Sequence, residues 1–336
     1  MRQLRASLVI TCLVVGCGSS DEDGGGSDVA DQPDAGYGDS YTIEWGPVTV
    51  EPTTEDTRCV VKRVGNDAPI KVGQFVNHLG EASHHLIVYR VADTTEQTEP
   101  FECEPFVDVL DPTRGGPLAI TQKADETISL PPGVAYSLAA DQMVRIEMHF
   151  INTGDDPIEV SATTTLVEIP QADFQYEADF LFVGNLDVDV PPKMPVTLGP
   201  RFLPLPADLA GINIFAITGH EHQWGTGVEV ALGTSEEGPH EMVYAPDPFY
   251  WNEPETVYHD PPLAMPESGG FMFSCEYYNK STETVGFGES ANDEMCFFWA
   301  YYYPSVGPKV CAHTDMFGGL NACCPGDALC EYLDQI

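Results

Sequence analysis

The chain has 336 residues, which is long enough to bury a sizeable core and by length alone suggests two domains. Its 53 acidic and 14 basic residues give a formal charge of −39, which excludes nucleic acid and anionic lipid surfaces as default partners because both would be repelled. Apolar residues make up 43% of the sequence, enough for packed β cores, and 28 prolines with 31 glycines fit many turns between short strands.

The first forty residues have the pattern of a targeting segment followed by a tether. Two arginines precede an apolar run at residues 8–15, which is too short for an ordinary membrane span, and the run leads into Cys17. This pattern resembles a bacterial lipobox, so residues 1–17 are expected to be a lipoprotein signal peptide with Cys17 lipidated. The alternative is an ordinary secretory signal with an incidental cysteine. Residues 18–40 are acidic and rich in glycine, which predicts a disordered linker.

Export sets both the location and the redox state that we expect for the mature chain. We expect a bacterial lipoprotein of the outer membrane, cell surface or periplasm that touches the membrane only through its anchor. Without Cys12 and Cys17 an even number of cysteines remains, which in an oxidising compartment indicates disulfides. The eight are Cys59, Cys103, Cys275, Cys296, Cys311, Cys323, Cys324 and Cys330. The sequence leaves the pairing of the last four open.

From Tyr41 onward, short β-type runs alternate with turn residues, without intervening helical periodicity. This spacing predicts an all-β chain of two tandem jelly-roll-like β-sandwich domains. The pattern breaks near residues 169–172. We therefore place the boundary there, between an N-terminal domain at 41–170 and a C-terminal domain at 171–336 with a cysteine-rich tail.

The histidines of the second domain follow an apolar run, residues 212–217, that predicts a buried strand. Because successive side chains of a strand alternate between faces, His220 and His222 point the same way and could chelate a transition metal. Met295 is the candidate third ligand, since a thioether is soft and favours Cu(I) over zinc. Taken alone, a His-x-His pair is weak and a methionine usually fills a core.

The first domain offers His84, His85 and His149. Adjacent residues on a regular strand face opposite sides, so His84 and His85 reach one metal only at a strand end or a kink, and residues 80–83 are typical of such an entry turn. Three imidazoles suit copper or zinc, although a lone histidine is more often structural. The remaining histidines are expected to be surface or structural residues: His78, His240, His259 and His313.

The order of these motifs resembles the copper type II, ascorbate-dependent monooxygenases. The similarity runs from about Cys59 to about Pro304, and its strongest parts are the His-His pair, the strand ending in His149, the segment Gly219-His220-Glu221-His222 and the segment Asp293-Glu294-Met295-Cys296. It implies that one copper, bound by His84, His85 and His149, stores and passes an electron. It also implies that a second copper binds dioxygen beside the substrate on three catalytic residues: His220, His222 and Met295.

The same resemblance implies two disulfides, Cys59–Cys103 and Cys275–Cys296, and an oxidoreductase activity. The implied reaction is hydroxylation of a C–H bond of a small organic substrate by O2, with two mononuclear copper sites and an external one-electron donor such as ascorbate. We expect a monomer whose partner is a small molecule. The alternative is a non-catalytic copper-binding surface lipoprotein on the same scaffold. A zinc hydrolase is disfavoured, because a thioether is a poor zinc ligand.

Three positions depart from the peptide-amidating members of that family and define a candidate substrate pocket. Thr218 stands where those enzymes have an arginine that clamps a substrate carboxylate, so a peptide ending in glycine is a poor candidate substrate. Phe297 and Trp299 replace an asparagine and a tyrosine. If they face the oxygen-binding copper they form an apolar aromatic pocket, and otherwise they are core residues. Glu147 replaces a glutamine, which leaves any role in electron relay open.

Overall fold

The computed structural model describes residues 36–103, 105–106, 116–316, 319–326 and 330. The predicted signal peptide with Cys17, and most of the predicted linker, lie outside these residues. Within the described residues the all-β prediction is confirmed, since strands make up most of the structure beside a short 3-10 helix at Ala207–Leu209. No helix in this part of the chain is long and apolar enough to cross a lipid bilayer.

The strands up to residue 177 form two sheets. In chain order they are β1 Ser40–Val50, β2 Thr54–Arg63, β3 Ile70–Leu79, β4 Ser83–Val91, β5 Gln97–Glu102, β6 Pro117–Thr121, β7 Asp125–Ser129, β8 Val134–Leu138, β9 Met143–Asn152, β10 Ile158–Glu168 and β11 Tyr176–Glu177. Sheet 1 has the order β1-β10-β3-β8-β11, with β7 also pairing with β3, and sheet 2 has the order β5-β2-β9-β4-β6.

The later strands pair only with one another. They are β12 Asp179–Asn185, β13 Asp189–Val190, β14 Pro195–Pro204, β15 Asn213–His220, β16 Gly225–Gly233, β17 His240–Tyr244, β18 Thr256–Ala264, β19 Gly270–Tyr278, β20 Val285–Gly286, β21 Cys296–Tyr303, β22 Lys309–Thr314 and β23 Leu320–Cys324. Sheet 3 has the order β18-β15-β21-β12-β22-β23, sheet 4 has the order β14-β19-β16-β17, and β13 pairs with β20.

Sheet 2 positions the first set of histidines. His84 and His85 lie at the start of β4, and His149 lies on the neighbouring strand β9, where it pairs directly with His85. The β4–β9 register shifts between Ser83 and His85. A bulge of this kind turns a side chain away from strict alternation, so this irregularity is the kink that two adjacent histidines need to share one centre.

Sheet 3 positions the second set. Strand β15 is buried along nearly its whole length because it lies in the interior of the sheet, as its continuous apolar run predicts. It pairs with β21 so that Thr218 lies opposite Trp299 and His220 opposite Phe297. Met295 immediately precedes β21, and His222 lies two residues beyond the end of β15. The ends of two adjacent strands therefore present this set together.

The two-domain organisation and the jelly-roll topology are not confirmed. Strand pairing does change near the predicted boundary, but β11 lies beyond it and still joins sheet 1. One continuous apolar core includes Ile43 and Trp45 from the first half with Phe182, Phe215 and Trp299 from the second. Since apolar contacts are not confined to either half, residues 35–336 cluster as one compact unit.

Four disulfides cross-link the described residues. Cys59–Cys103 and Cys275–Cys296, the two pairs that the resemblance implies, are both present. The second joins β19 to the first residue of β21, next to Met295. The tail pairing that the sequence left open is Cys311–Cys323 and Cys324–Cys330.

Candidate metal centre

The histidine triad, which we define as His84, His85 and His149, is buried in sheet 2. The three side chains offer nitrogen atoms that all lie within 4.8 Å of one another. The Nδ1 atoms of His84 and His85 are 3.2 Å apart. Two nitrogens bound at about 2.0 Å to one ion in tetrahedral geometry are separated by about 3.3 Å, so the spacing fits a shared metal ion.

Two carboxylates hold the outer nitrogens of the triad. Glu147 Oε1 lies 3.5 Å from His85 Nε2, and Glu55 Oε1 lies 3.1 Å from His149 Nε2. A carboxylate accepts hydrogen bonds, so each of these Nε2 atoms is placed to donate one. This leaves the Nδ1 lone pairs of His85 and His149 free for a metal. Glu147 also accepts hydrogen bonds from Tyr89 Oη and from the Phe106 amide.

Burial shapes the charge of these groups. It holds the pKa of His84 and His85 well below the usual range, with neighbouring imidazoles adding to the effect. Burial also raises the pKa of Glu147 to about 7. The hydrogen bond from His149 lowers the pKa of Glu55 to about 2. His84 and His85 are thus neutral at pH 7, as metal ligands must be, and the Glu55 carboxylate stays charged.

The His-x-His pair, His220 and His222, is equally buried, and its ring centroids are 5.1 Å apart. Neutral oxygens hold its Nδ1 atoms. His220 Nδ1 lies 3.3 Å from Gln122 Oε1, and His222 Nδ1 lies 3.2 Å from the Asp293 carbonyl oxygen. When the Nδ1 atom of His220 donates, its Nε2 lone pair is free for a metal. His220 Nε2 is buried and has no hydrogen-bond partner among the described residues.

Glu294 fastens the segment that carries Met295 to the His-x-His pair. Its carboxylate accepts hydrogen bonds from the backbone amides of His222, at 2.9 Å, and Trp224, at 2.7 Å. Tyr277 Oη donates to the carbonyl of Met295. These bonds fix the backbone of Met295 beside His222 and explain why the acidic residue directly precedes the methionine.

The two histidine groups adjoin. The ring centroids of His84 and His222 are 6.5 Å apart. Phe106 lies between the groups, 4.8 Å from the His85 ring and 5.6 Å from the His220 ring. Its φ of 53° is rare for a bulky residue and indicates that the surroundings force it into place.

Near the two histidine groups, Glu55 and Gln122 connect the part of the chain before residue 178 to the part after it. Glu55, on β2, accepts a hydrogen bond from the Ala291 amide at 2.8 Å in addition to its contact with His149. Gln122, at the end of β6, holds His220 of β15. Glu55 therefore links the triad to the segment that carries Ala291, and Gln122 links the end of β6 to the His-x-His pair.

The three predicted pocket residues lie in the interior of the protein. Thr218 donates from Oγ1 to Thr256 Oγ1, and Phe297 stacks on Phe182 with ring centroids 4.7 Å apart. Trp299 lies 5.9 Å from the His220 ring, and all three side chains are buried. Their part in substrate binding stays a prediction.

Sequence reasoning missed three residues of the site: Glu55, Gln122 and Glu294. Glu294 stands in the quoted motif beside Met295 and could have been singled out as its neighbour. Glu55 and Gln122 carry no signal of their own, because only the tertiary fold brings them to the histidines.

A separate group, Asp187, His313 and Asp315, also places three possible ligand atoms within 4.8 Å. His313, expected to be structural, is buried and contacts Asn321 through Nδ1. The Arg201 guanidinium donates to both oxygens of Asp315, at 3.0 and 3.1 Å. Because this cation already neutralises Asp315, the group is an ion-pair network.

One comparison with known families bears on the metal that these groups could hold. Residues 203–316 match the family model of the copper type II ascorbate-dependent monooxygenase, C-terminal domain. This part of the chain is therefore similar to that domain. It contains the His-x-His pair, Met295 and the Cys275–Cys296 disulfide, whereas the triad lies outside the match. The donor set agrees with copper, since soft thioether and imidazole ligands suit it.

Solved structures give only a distant likeness. The chain is similar to PNGase F, a glycosylasparaginase from Flavobacterium meningosepticum, with 12% identity, 85% of this chain and 100% of that chain covered, and a TM-score of 0.35. It is also similar to the major capsid protein P2 from bacteriophage PM2, with 8% identity, 80% and 99% covered, and a TM-score of 0.32. Scores this low carry no argument about function.

Proposed function

We propose that the protein is a copper-dependent monooxygenase that hydroxylates a C–H bond of a small organic substrate with O2 and an external reductant. The observation that carries this proposal is the adjacency of two buried histidine groups, each with lone pairs free for a metal, within 6.5 Å of each other. The family match over residues 203–316 supports the second group as the oxygen-binding one.

The two histidine groups would have separate roles. Copper, when bound, would supply the one-electron redox chemistry and the activation of dioxygen. His84, His85 and His149 would hold one ion through Nδ1, with their orientation set by Glu147 and Glu55. His220 and His222 would hold the other through Nε2, together with the Met295 thioether.

Burial of both groups would exclude bulk water from the reacting atoms. A dry site strengthens electrostatic interactions and limits side reactions. The Glu294 contacts to the His222 and Trp224 amides would keep the methionine segment in place during turnover. The short separation of the groups would shorten the path of the second electron.

Product formation tests the proposal directly. The copper-loaded chain is incubated with O2, a reductant and a panel of phenylethylamines, other aromatic compounds and small peptides, and hydroxylated product is measured against oxygen consumed. We expect product with at least one compound and a loss of at least about 100-fold in Met295→Ile. Met242→Ile is the matched control, because Met242 is exposed and distant in sequence. Full turnover by Met295→Ile would refute the assignment of the oxygen site.

The same assay separates the enzyme from the non-catalytic alternative. A copper-binding surface lipoprotein would bind two coppers and give no product with any compound of the panel. If metal analysis found zinc in place of copper, both the monooxygenase and the copper-binding lipoprotein would be excluded.

We also propose that the protein is exported and anchored through Cys17. The lipobox-like sequence and the even number of cysteines in the mature chain support this. Expression in a bacterium should place the protein in the membrane fraction, and Cys17→Ala should release it. A Cys17→Ala protein that stays membrane-bound would contradict the anchor.

A further inference from the structure

A cavity of about 480 Å³ lies directly beside the histidine triad. His84 lines it, whereas His220, His222 and Met295 are not among its described lining residues. Asn252, Glu253 and Asn292 on its rim are exposed, so small molecules can enter from solvent. A cavity of this size holds one small molecule, and that molecule would meet the triad.

The charge of the cavity is negative. Glu55 and Glu253 line it, and no lysine or arginine is among the described lining residues. The rest of its polar lining consists of amide and hydroxyl side chains, the His84 imidazole and the Trp251 indole. An anion would be repelled both by these carboxylates and by the formal charge of −39 on the whole chain.

The lining also defines what a neutral ligand needs. Gln122 lines the cavity, and its buried Nε2 atom has no acceptor among the described residues. The carboxylates offer acceptors. A ligand with hydroxyl groups can satisfy both kinds of group, since a hydroxyl both donates and accepts.

Trp251 adds an aromatic surface. It lines the cavity, and its ring lies 5.5 Å from the His84 ring with an interplanar angle of 34°. A flat aromatic ligand could stack on this indole next to a triad imidazole.

We propose that this cavity binds the electron donor of the protein, and that the donor is a small uncharged dihydroxyaromatic compound in preference to ascorbate. The inference rests on the proposed function, in which the triad receives the external electrons. Ascorbate is a monoanion at neutral pH and has no aromatic ring, so it fits neither the charge nor the indole surface.

The electron transfer balances. A 1,4-dihydroxybenzene loses two electrons and two protons and becomes the quinone. With copper bound in both histidine groups, the two electrons would reduce two copper(II) ions to copper(I), one ion in each group. The two protons pass to water at the open rim of the cavity.

Binding to the copper-free protein tests the ligand class without any turnover. Hydroquinone and 2,5-dihydroxybenzenesulfonate share one ring and differ by a negative charge, and calorimetry gives the affinity of each. We expect hydroquinone to bind about tenfold more tightly. Glu253→Lys should narrow or reverse this preference, whereas Glu236→Lys, an equal charge change on an exposed residue that does not line the cavity, should leave it unchanged. Trp251→Ala should weaken hydroquinone binding and Trp251→Phe should restore it.

The rate of copper reduction tests the role. The copper(II) protein is mixed anaerobically with hydroquinone or ascorbate, and loss of the copper(II) EPR signal is followed. We expect hydroquinone to reduce the protein faster than ascorbate, and Glu253→Lys to accelerate ascorbate about fivefold or more. Equal binding of the sulfonate, or faster reduction by ascorbate that Glu253→Lys leaves unchanged, would overturn the inference. Failure of the proposed function looks different: no product forms, while the preference for hydroquinone remains.

Discussion

The two histidine groups are alike in burial and differ in what holds their outer nitrogens. In the triad, Glu147 and Glu55 place carboxylates on His85 and His149. In the His-x-His pair, the Gln122 amide oxygen holds Nδ1 of His220 and the Asp293 backbone carbonyl holds Nδ1 of His222. A carboxylate makes an imidazole a more electron-rich ligand than a neutral oxygen does.

This difference suits the two groups to opposite oxidation states. Electron-rich imidazoles and nearby negative charge stabilise copper(II), whereas neutral surroundings and a thioether stabilise copper(I). Copper held by the triad would then give up its electron readily. Copper held by the pair would stay reduced until dioxygen bound. Single substitutions can remove the carboxylate from the triad or introduce one at the pair.

Glu147→Ala should produce the largest change at the triad. It removes the acceptor of His85 Nε2 and of two further donors, Tyr89 Oη and the Phe106 amide. We expect copper(II) affinity at the triad to fall about 10- to 100-fold, with the pair unaffected. Competition titration with a copper chelator measures both affinities. Glu159→Ala, an exposed residue on β10, is the control, and an unchanged triad affinity in Glu147→Ala would contradict the role of the carboxylate.

Gln122→Glu should make the pair resemble the triad. The new carboxylate would meet His220 Nδ1, lower the reduction potential of the second copper and slow product formation by about tenfold. An EPR-monitored redox titration resolves the two potentials. Gln97→Glu is a suitable control, because Gln97 is exposed on β5 and does not line the cavity beside the triad. Equal potentials for the variant and the parent would show that the outer partner does not tune this site.

Glu55→Gln should have a smaller effect, since the amide oxygen can still accept from His149 and from the Ala291 amide. Only the charge is lost. We expect about a threefold loss of copper(II) affinity at the triad, compared with a larger loss in Glu55→Ala, where the link to residues 290–292 also disappears. Amide hydrogen exchange at residues 290–292 distinguishes the two variants. Exchange there should be faster in Glu55→Ala than in the parent protein and unchanged in Glu55→Gln.

The pH dependence of the copper-free protein gives the mildest test. Burial lowers the pKa of His222 from about 6.5 when unfolded to about 4. Between these values the unfolded chain binds more protons, so His222 contributes stability above pH 6.5 that is lost as the pH falls through 4. The free energy of unfolding should therefore drop by at most about 1.4 kcal/mol per pH unit from this group. Denaturant titrations should show a shallower slope for His222→Gln, and parallel slopes would contradict a buried neutral His222.

Particular residues show how far the sequence could go. Alternating apolar runs predicted the strands, and the adjacency of His84 and His85 required the irregularity that β4 contains. Phe297 and Trp299 could not be placed, because β21 is covered on both faces and alternation then no longer separates core from pocket. Glu55 could not be found at all, since it lies 94 residues from His149 and only strand pairing joins them.

The central claim is that two copper ions bind side by side in groups of different chemistry. Anomalous diffraction at the copper edge from crystals of the copper-loaded protein tests it most directly. The account predicts two peaks per chain: one bound by Nδ1 of His84, His85 and His149, the other by Nε2 of His220 and His222 with the sulfur of Met295. A single peak, or zinc at both positions, would contradict it.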